Sequence, residues 1–177
     1  MEHITFDLET LGNSSRAPIV QIGAVKFTED GTVTDTFLRN IDLNSLTGLD
    51  FVMDYNTVSW WFNQSPEAIK SVFSEELDRI SLSNALYQFQ IWLGKSADYN
   101  YWSHATFDPP ILSNNYKAVG KNCPIPFRLH RDIRTLSLLG GKITIDRGDL
   151  IHHNALDDCI FQAKYISKGL QQLKNRK

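Results

Sequence analysis

The chain is poor in cysteine. Its 177 residues contain only Cys123 and Cys159, whose spacing makes neither a disulfide framework nor a zinc site. Two reduced thiols are expected, Cys159 as a small core residue and Cys123 in a proline-flanked loop. There is no long apolar run, so no membrane span or membrane partner is expected. The N-terminus passes directly into an acidic, strand-like segment, so no signal peptide is expected. There is no large charge of one sign either, the formal net charge being −2. That small value hides an asymmetry. Residues 1–110 hold 6 Lys/Arg against 15 Asp/Glu, and residues 111–177 hold 12 against 5. A basic second half suits phosphates and an acidic first half suits cations, although scattered, solvated charge would give the same counts. With 42% hydrophobic and 21% charged residues, the composition supports a full core and excludes global disorder. The length suits one compact α/β domain over residues 1–173, followed by a basic tail at 174–177.

What the chain does have is an unusual first strand, Ile4-Thr5-Phe6-Asp7-Leu8-Glu9-Thr10. On a strand, residues two apart share a side, so Asp7 and Glu9 aim together while Phe6 and Leu8 face away. Two carboxylates on one face repel and lose hydration if buried. Oxygen ligands so placed suit Mg²⁺ or Mn²⁺. The bland alternative is a solvated edge strand.

Turn formers at 12–18 separate this strand from a second at 19–28, and Glu29-Asp30-Gly31 is a hairpin signal before a third at 32–41. Residues 42–55 read as irregular. Short helices follow at 56–64, capped by Asn56, and at 66–73, with Pro66 in the first turn. Ser81 caps a helix whose stripe is Leu82, Ala85, Leu86, Phe89 and Leu93, and Gly94 ends it. A fourth strand is expected at 99–103, a helix from Pro109-Pro110 to about Val119, a fifth strand at 129–133, and a short helix at 134–139. A last helix spans about 154–173. Three close strands form an antiparallel meander and the later strands need parallel crossovers. The expected fold is therefore a three-layer α/β plan with a mixed five-stranded sheet flanked by helices.

Two further places bring acids toward that first strand. Asp108 follows Phe107 just after the fourth strand, at a helix N-terminus, where capping is the ordinary role of an aspartate. In His153-Asn154-Ala155-Leu156-Asp157-Asp158-Cys159, Asn154 caps the last helix and Asp157 suits its first turn. Asp158 has no such role, sits beside the buried stripe and needs a partner. His153 lies upstream, able to accept a proton over the same site, or to be a plain surface histidine.

FDLET with Leu11-Gly12, FD at 107–108 and HNALDDC at 153–159 together resemble the DEDDh branch of the DnaQ-like 3′–5′ exonucleases, which includes proofreading subunits, RNase T and oligoribonuclease. A narrower likeness covers nearly the whole chain. APIVQIGAV at 17–25, NTVSWWFNQS at 56–65, RDIRTL at 131–136 and HNALDDCIFQAKY at 153–165 are similar to small phage and prophage exonucleases described as exodeoxyribonuclease VIII-like. Many DEDDh members carry Asn four residues before the third acid, where this chain has His104.

The resemblance implies an RNase H-like fold and two divalent cations, Mg²⁺ or Mn²⁺. Asp7 would bridge both, Glu9 and Asp158 would hold the one at the attacking water, and Asp108 the other. His153 would take the proton from that water. Nucleoside 5′-monophosphates would leave a single-stranded 3′ end, DNA slightly favoured over RNA. Thr10 and Leu11 would meet the terminal nucleotide, and His104, Phe107 and one tryptophan, Trp60, would contact substrate, bases stacking on aromatics. Arg131 and Arg134 could reach phosphate or pair with Asp132. A homodimer is permitted, and a cytoplasmic location is expected, that of the host if a phage encodes the chain. The alternatives are an oligoribonuclease-like exoribonuclease, a non-catalytic nucleic-acid-binding module on the same fold, and a structure-selective endonuclease on a related fold.

Overall fold

The computed structural model describes residues 2–95 and 99–175. Arg176 and Lys177 of the expected basic tail lie outside them. Six strands form one sheet in the order β4-β3-β2-β1-β5-β6. These are β1 (Glu2–Thr10), β2 (Ile19–Phe27), β3 (Val33–Ile41), β4 (Arg79–Ile80), β5 (Tyr99–Ser103) and β6 (His130–Asp132). The meander β1–β2–β3 is antiparallel, and β4, β5 and β6 each join in parallel. The mixed character agrees with the sequence; the count of five does not. The extra strand is the two-residue β4, too short to carry an alternating pattern.

The helices are α1 (Tyr55–Trp61), α2 (Pro66–Phe73), α3 (Leu82–Leu93), α4 (Asp108–Ala118), α5 (Ile133–Gly140) and α6 (Ala155–Lys174). Two short 3₁₀ turns, at Leu43–Leu46 and Phe127–Leu129, fall in stretches that read as irregular or as loop. α1 begins earlier than the sequence suggests. Asp54, not Asn56, is its cap, accepting the Asn56 N–H at 3.0 Å. Ser65, Ser81 and Asn154 cap α2, α3 and α6 with their side chains, as short polar residues in extended backbone do. No described helix is long and apolar enough to cross a membrane.

The alternation of β1 divides the interior. Ile4, Phe6 and Leu8 face α3 and α4, packing with Leu86, Phe89, Ile111 and Leu112 in the larger core. On the opposite side Val25, Phe27 and Trp102 pack with Ile133 and Leu136 of α5 and with Cys159, Ala163 and Ile166 of α6. Thr5, Asp7 and Glu9 belong to this second side, where α6 lies across β1 and β2. Both cysteines are free thiols, Cys159 fully buried.

The approach of α6 is set by β2. Asp7 pairs in register with Gly23. A Cβ on Gly23 would stand 2.2 Å from the carbonyl carbon of Ala155 and 2.5 Å from the Leu156 nitrogen. Only glycine lets the first turn of α6 rest on the sheet there. Buried Gln21 completes the joint: its Oε1 accepts the Ala155 N–H at 2.8 Å, and its Nε2 donates to Asn40 Oδ1 and to the Ser71 carbonyl. Every polar atom of that amide is satisfied, as burial demands.

Candidate active site

Because α6 is held against β2 beside Asp7, its first turn brings Asp158 over the acidic face of β1. Asp7, Glu9, Asp108, His153 and Asp158 line one cavity of about 560 Å³, together with Thr10, His104, Phe107 and Trp60. One ligand atom from each of Glu9, His153 and Asp158 lies within 4.8 Å of the others.

The carboxylates are electrostatically frustrated. Burial, then Asp158, raises the Asp7 carboxyl to about 7. Glu9 is pushed well above the usual range by burial and by Asp7, Asp158 and Asp108. Asp108, 1% exposed, is raised by burial and by Asp7. Such a group of oxygen donors, crowded and short of counter-charge, fits hard divalent cations.

Asp7, Asp108 and Asp158 are each aimed by specific bonds. Gln162, one turn beyond Asp158 on α6, donates from Nε2 to Asp7 Oδ1 at 2.9 Å. Thr5 donates to the Gln162 oxygen at 2.6 Å and so fixes which end of the amide faces Asp7. Asp108 is the first residue of α4 and makes no side-chain cap. Its Oδ2 instead accepts the His104 N–H at 2.8 Å. The ordinary capping role does not apply because the carboxylate turns back toward β5 and the cavity. Asp158 is held twice, by the His153 N–H at 3.0 Å and by Arg147 Nη1 at 2.6 Å.

Asp157 reaches out of the helix to the Ile151 N–H at 2.9 Å, so it fastens the preceding loop and leaves capping to Asn154. His153 ends that loop with φ +62°, the left-handed region, which side chains with a Cβ seldom occupy. This conformation points its N–H at Asp158 and its ring at Trp60, edge to face at 4.7 Å. Burial lowers the His153 pKa despite the opposing pull of Asp158.

The two tryptophans are divided. Trp61 is buried and donates its Nε1–H to the Thr10 carbonyl at 2.9 Å, tying α1 to the end of β1. Trp60 is 42% exposed at the cavity. Leu11 is not among the cavity-lining residues; it packs onto Val20, Trp61 and Val72. Gly12 and Asn13 take the wall after Thr10, where the register shifts between Glu9 and Thr10. His104 lines the cavity with its Nδ1 buried and unpartnered. Of the two arginines considered for phosphate, Arg134 lines the cavity, whereas Arg131 is spent on the Arg128 and His130 carbonyls. Asp132 pairs with neither; it caps α5 through Thr135 and accepts the Ala105 N–H.

Sequence reasoning missed Arg147, Gln162, Thr5, Gln21 and Gly23. Gln162 stands four residues after Asp158, on the same helical face. A glutamine and a glycine inside an apolar strand signal a buried polar joint and a close backbone approach. Arg147 lies in a loop with no periodicity and carries no such signal.

A family model described as the 3′–5′ exoribonuclease Rv2179c-like domain matches residues 2–170. The exodeoxyribonuclease of Enterobacteria phage T4 is 28% identical over 198 residues, covering 90% of this chain and 86% of that protein. Among solved structures, apo exonuclease I superposes with a TM-score of 0.64 at 12% identity, over 99% of this chain and 44% of that one. E. coli exonuclease I in complex with a dA16 oligonucleotide gives 0.63 at 10% identity, over 98% and 42%. The chain thus spans less than half the length of those exonuclease I structures, and the likeness to them is one of fold. The chain belongs to the Rv2179c-like 3′–5′ exoribonuclease domain family and is a DnaQ-like 3′–5′ exonuclease on an RNase H-like fold.

Proposed function

We propose that the chain is a two-cation 3′–5′ exonuclease of single-stranded nucleic acid in which Asp7, Glu9, Asp108 and Asp158 hold Mg²⁺ or Mn²⁺ and His153 is the general base. The observation that carries this reading is the convergence of those five side chains, from three distant stretches of sequence, on one cavity. Four carboxylates match the charge of two divalent ions. Bound there, the ions would supply Lewis-acid stabilisation of the charge that develops on the scissile phosphate and on the attacking and leaving oxygens.

The protein's own groups do the rest. Gln162 holds Asp7 in a fixed orientation, so the acid meets its load without reorganising. His153 is kept neutral by burial and so can accept a proton from the attacking water. Its contact with Trp60 limits the ring's freedom. Trp60 and Phe107 present aromatic surface to the terminal bases, a sequence-tolerant contact. Thr10 borders the 3′ end, and Leu11 acts from behind through Trp61. His104 offers an unsatisfied ring nitrogen to nucleotide or water.

DNA is the favoured substrate, supported by the phage relative's name and its 28% identity across most of the chain. Activity on RNA is the second reading, supported by the family description. The test uses 3′-end-labelled and 5′-end-labelled single strands, one DNA and one RNA, with Mn²⁺. Immediate release of labelled mononucleotide from the 3′ end by the wild type, absent in Asp158→Asn, is expected. No release from any strand, or equal release by the variant, would overturn the reading.

A further inference from the structure

Arg147 is the one cationic side chain that forms an ion pair with the acidic group among the described residues. Its guanidinium lies 2.6 Å from Asp158, both side chains being largely shielded from solvent. Its guanidinium carbon lies over the Phe161 ring, 4.4 Å from the centroid, and the residue lines the same cavity as the acids. The residue belongs to the irregular segment between α5 and α6, so it can shift without disturbing a helix. Asp158 is thereby asked to serve two positive charges: the guanidinium now on Oδ1 and any cation held with Glu9.

We propose that Arg147 is the resident counter-charge of the acidic site and becomes a ligand of the substrate phosphate when a divalent cation claims Asp158. This rests on the exonuclease reading and deepens it by assigning a phosphate-positioning residue. A shielded guanidinium–carboxylate contact is a strong charge-assisted bond, so it competes with a cation for the same oxygen. Once Asp158 is committed elsewhere, the guanidinium is left in a part-buried cavity without a partner. A phosphate oxygen is the anion that such a fork fits. The same residue therefore opposes cation binding in the free protein and favours nucleic acid in the loaded one. A purely structural arginine would not give effects of opposite sign.

The test uses the full chain with Arg147→Met, which keeps a side chain against Phe161, and Arg147→Lys, which keeps the charge. Mn²⁺ is titrated calorimetrically without nucleic acid. Separately, a labelled oligothymidylate and its oligouridylate counterpart are bound in Ca²⁺ and followed by anisotropy. Arg147→Met is expected to bind Mn²⁺ about fivefold or more tighter. It is expected to bind oligonucleotide about tenfold more weakly, with a salt slope shallower by about one. Arg147→Lys should fall between in both, and it carries the test if the methionine variant does not fold. Unchanged or weaker Mn²⁺ binding would overturn the proposal, as would unchanged oligonucleotide binding. A wild type that binds Mn²⁺ and oligonucleotide but releases no mononucleotide would overturn the exonuclease reading instead, so the two failures are distinguishable.

Discussion

The two sides of the cavity are built on different principles. On one side, Asp7 and Glu9 stand on β1, a central strand paired on both edges, with Ile4, Phe6 and Leu8 sealed into the core behind them. On the other, Arg147 and His153 come from the irregular chain between α5 and α6, and His153 sits in left-handed backbone. The acids are costly to bury, so they need the stiffest support the fold has; a strand whose reverse face is fully packed supplies it. On the proposed mechanism His153 moves a proton and Arg147 changes partner. They stand on a segment held by a few polar bonds, such as Asp157 to Ile151 and Asp146 to Gly148. The joint between the two sides is the first turn of α6, resting on Gly23.

The largest expected effect comes from removing the proposed base while keeping its backbone. His153→Asn tolerates a positive φ, so it should lower kcat about 10²–10⁴-fold with little change in thermal stability. A single-turnover assay beside a melting curve checks both. If the variant melts well below the wild type, the loop is a structural part rather than a carrier of chemistry.

Breaking the joint itself should cost stability and activity together. Gly23→Ala drives a methyl into the Ala155 backbone and should destabilise by about 3 kcal/mol or more, as overpacking against unyielding backbone does. Denaturant unfolding measures this, and Mn²⁺ binding should weaken in parallel because Asp158 moves away from Asp7. An alanine variant of wild-type stability would mean that α6 is not seated by this contact.

The tryptophans sharpen the comparison within one helix. Trp61→Ala removes a buried ring and the donor to the Thr10 carbonyl, a loss of about 3–5 kcal/mol. Trp60→Ala should leave stability within about 1 kcal/mol and raise KM roughly tenfold through lost stacking. Reversed effects would exchange the two assignments.

The smallest effect expected is a pH dependence of the cation-free protein. The Asp7 carboxyl rises from the ordinary 3.8 to about 7 on folding, and Glu9 and Asp108 rise as well. Between the unfolded and folded values the native state holds more protons, so stability is full below about pH 4 on this account and is lost as pH rises through 7. The melting temperature in chelator should fall by several degrees, about 5 °C, between pH 5.5 and pH 8. Asp7→Asn should flatten that slope, and saturating Mg²⁺ should reverse it. A flat wild-type profile would show that the acids are not crowded.

How much of this was legible in the sequence follows the same division. The strand side was open to reading: alternation along β1 put Asp7 and Glu9 on one face, and the stripe of α3 and the Asn154 cap marked their helices. The ordered acids and His153, picked out by the resemblance, line one cavity. The loop side was opaque. No periodicity reports where Arg147 points, and no spacing signals the left-handed backbone of His153, whose N–H bonds the Asp158 carboxylate. Leu11 was expected at the terminal nucleotide because the resemblance implies it. The register shift after Glu9 and the pull of Trp61 instead send it toward Val20 and Val72. β4 escaped because two residues paired only to β3 have no pattern of their own.

The central claim is that the rigid side is a set of crowded carboxylates waiting for cations. Calorimetric titration of the wild-type chain with Mn²⁺ at pH 7, in two buffers of different ionisation enthalpy, tests it most directly. Two ions bound per chain with release of protons are expected, because Asp7, Glu9 and Asp108 all hold protons more tightly than ordinary carboxylates do. Asp7→Asn should lose both ions or bind one weakly. Binding without proton release, or an Asp7→Asn variant that takes up Mn²⁺ like the wild type, would contradict it.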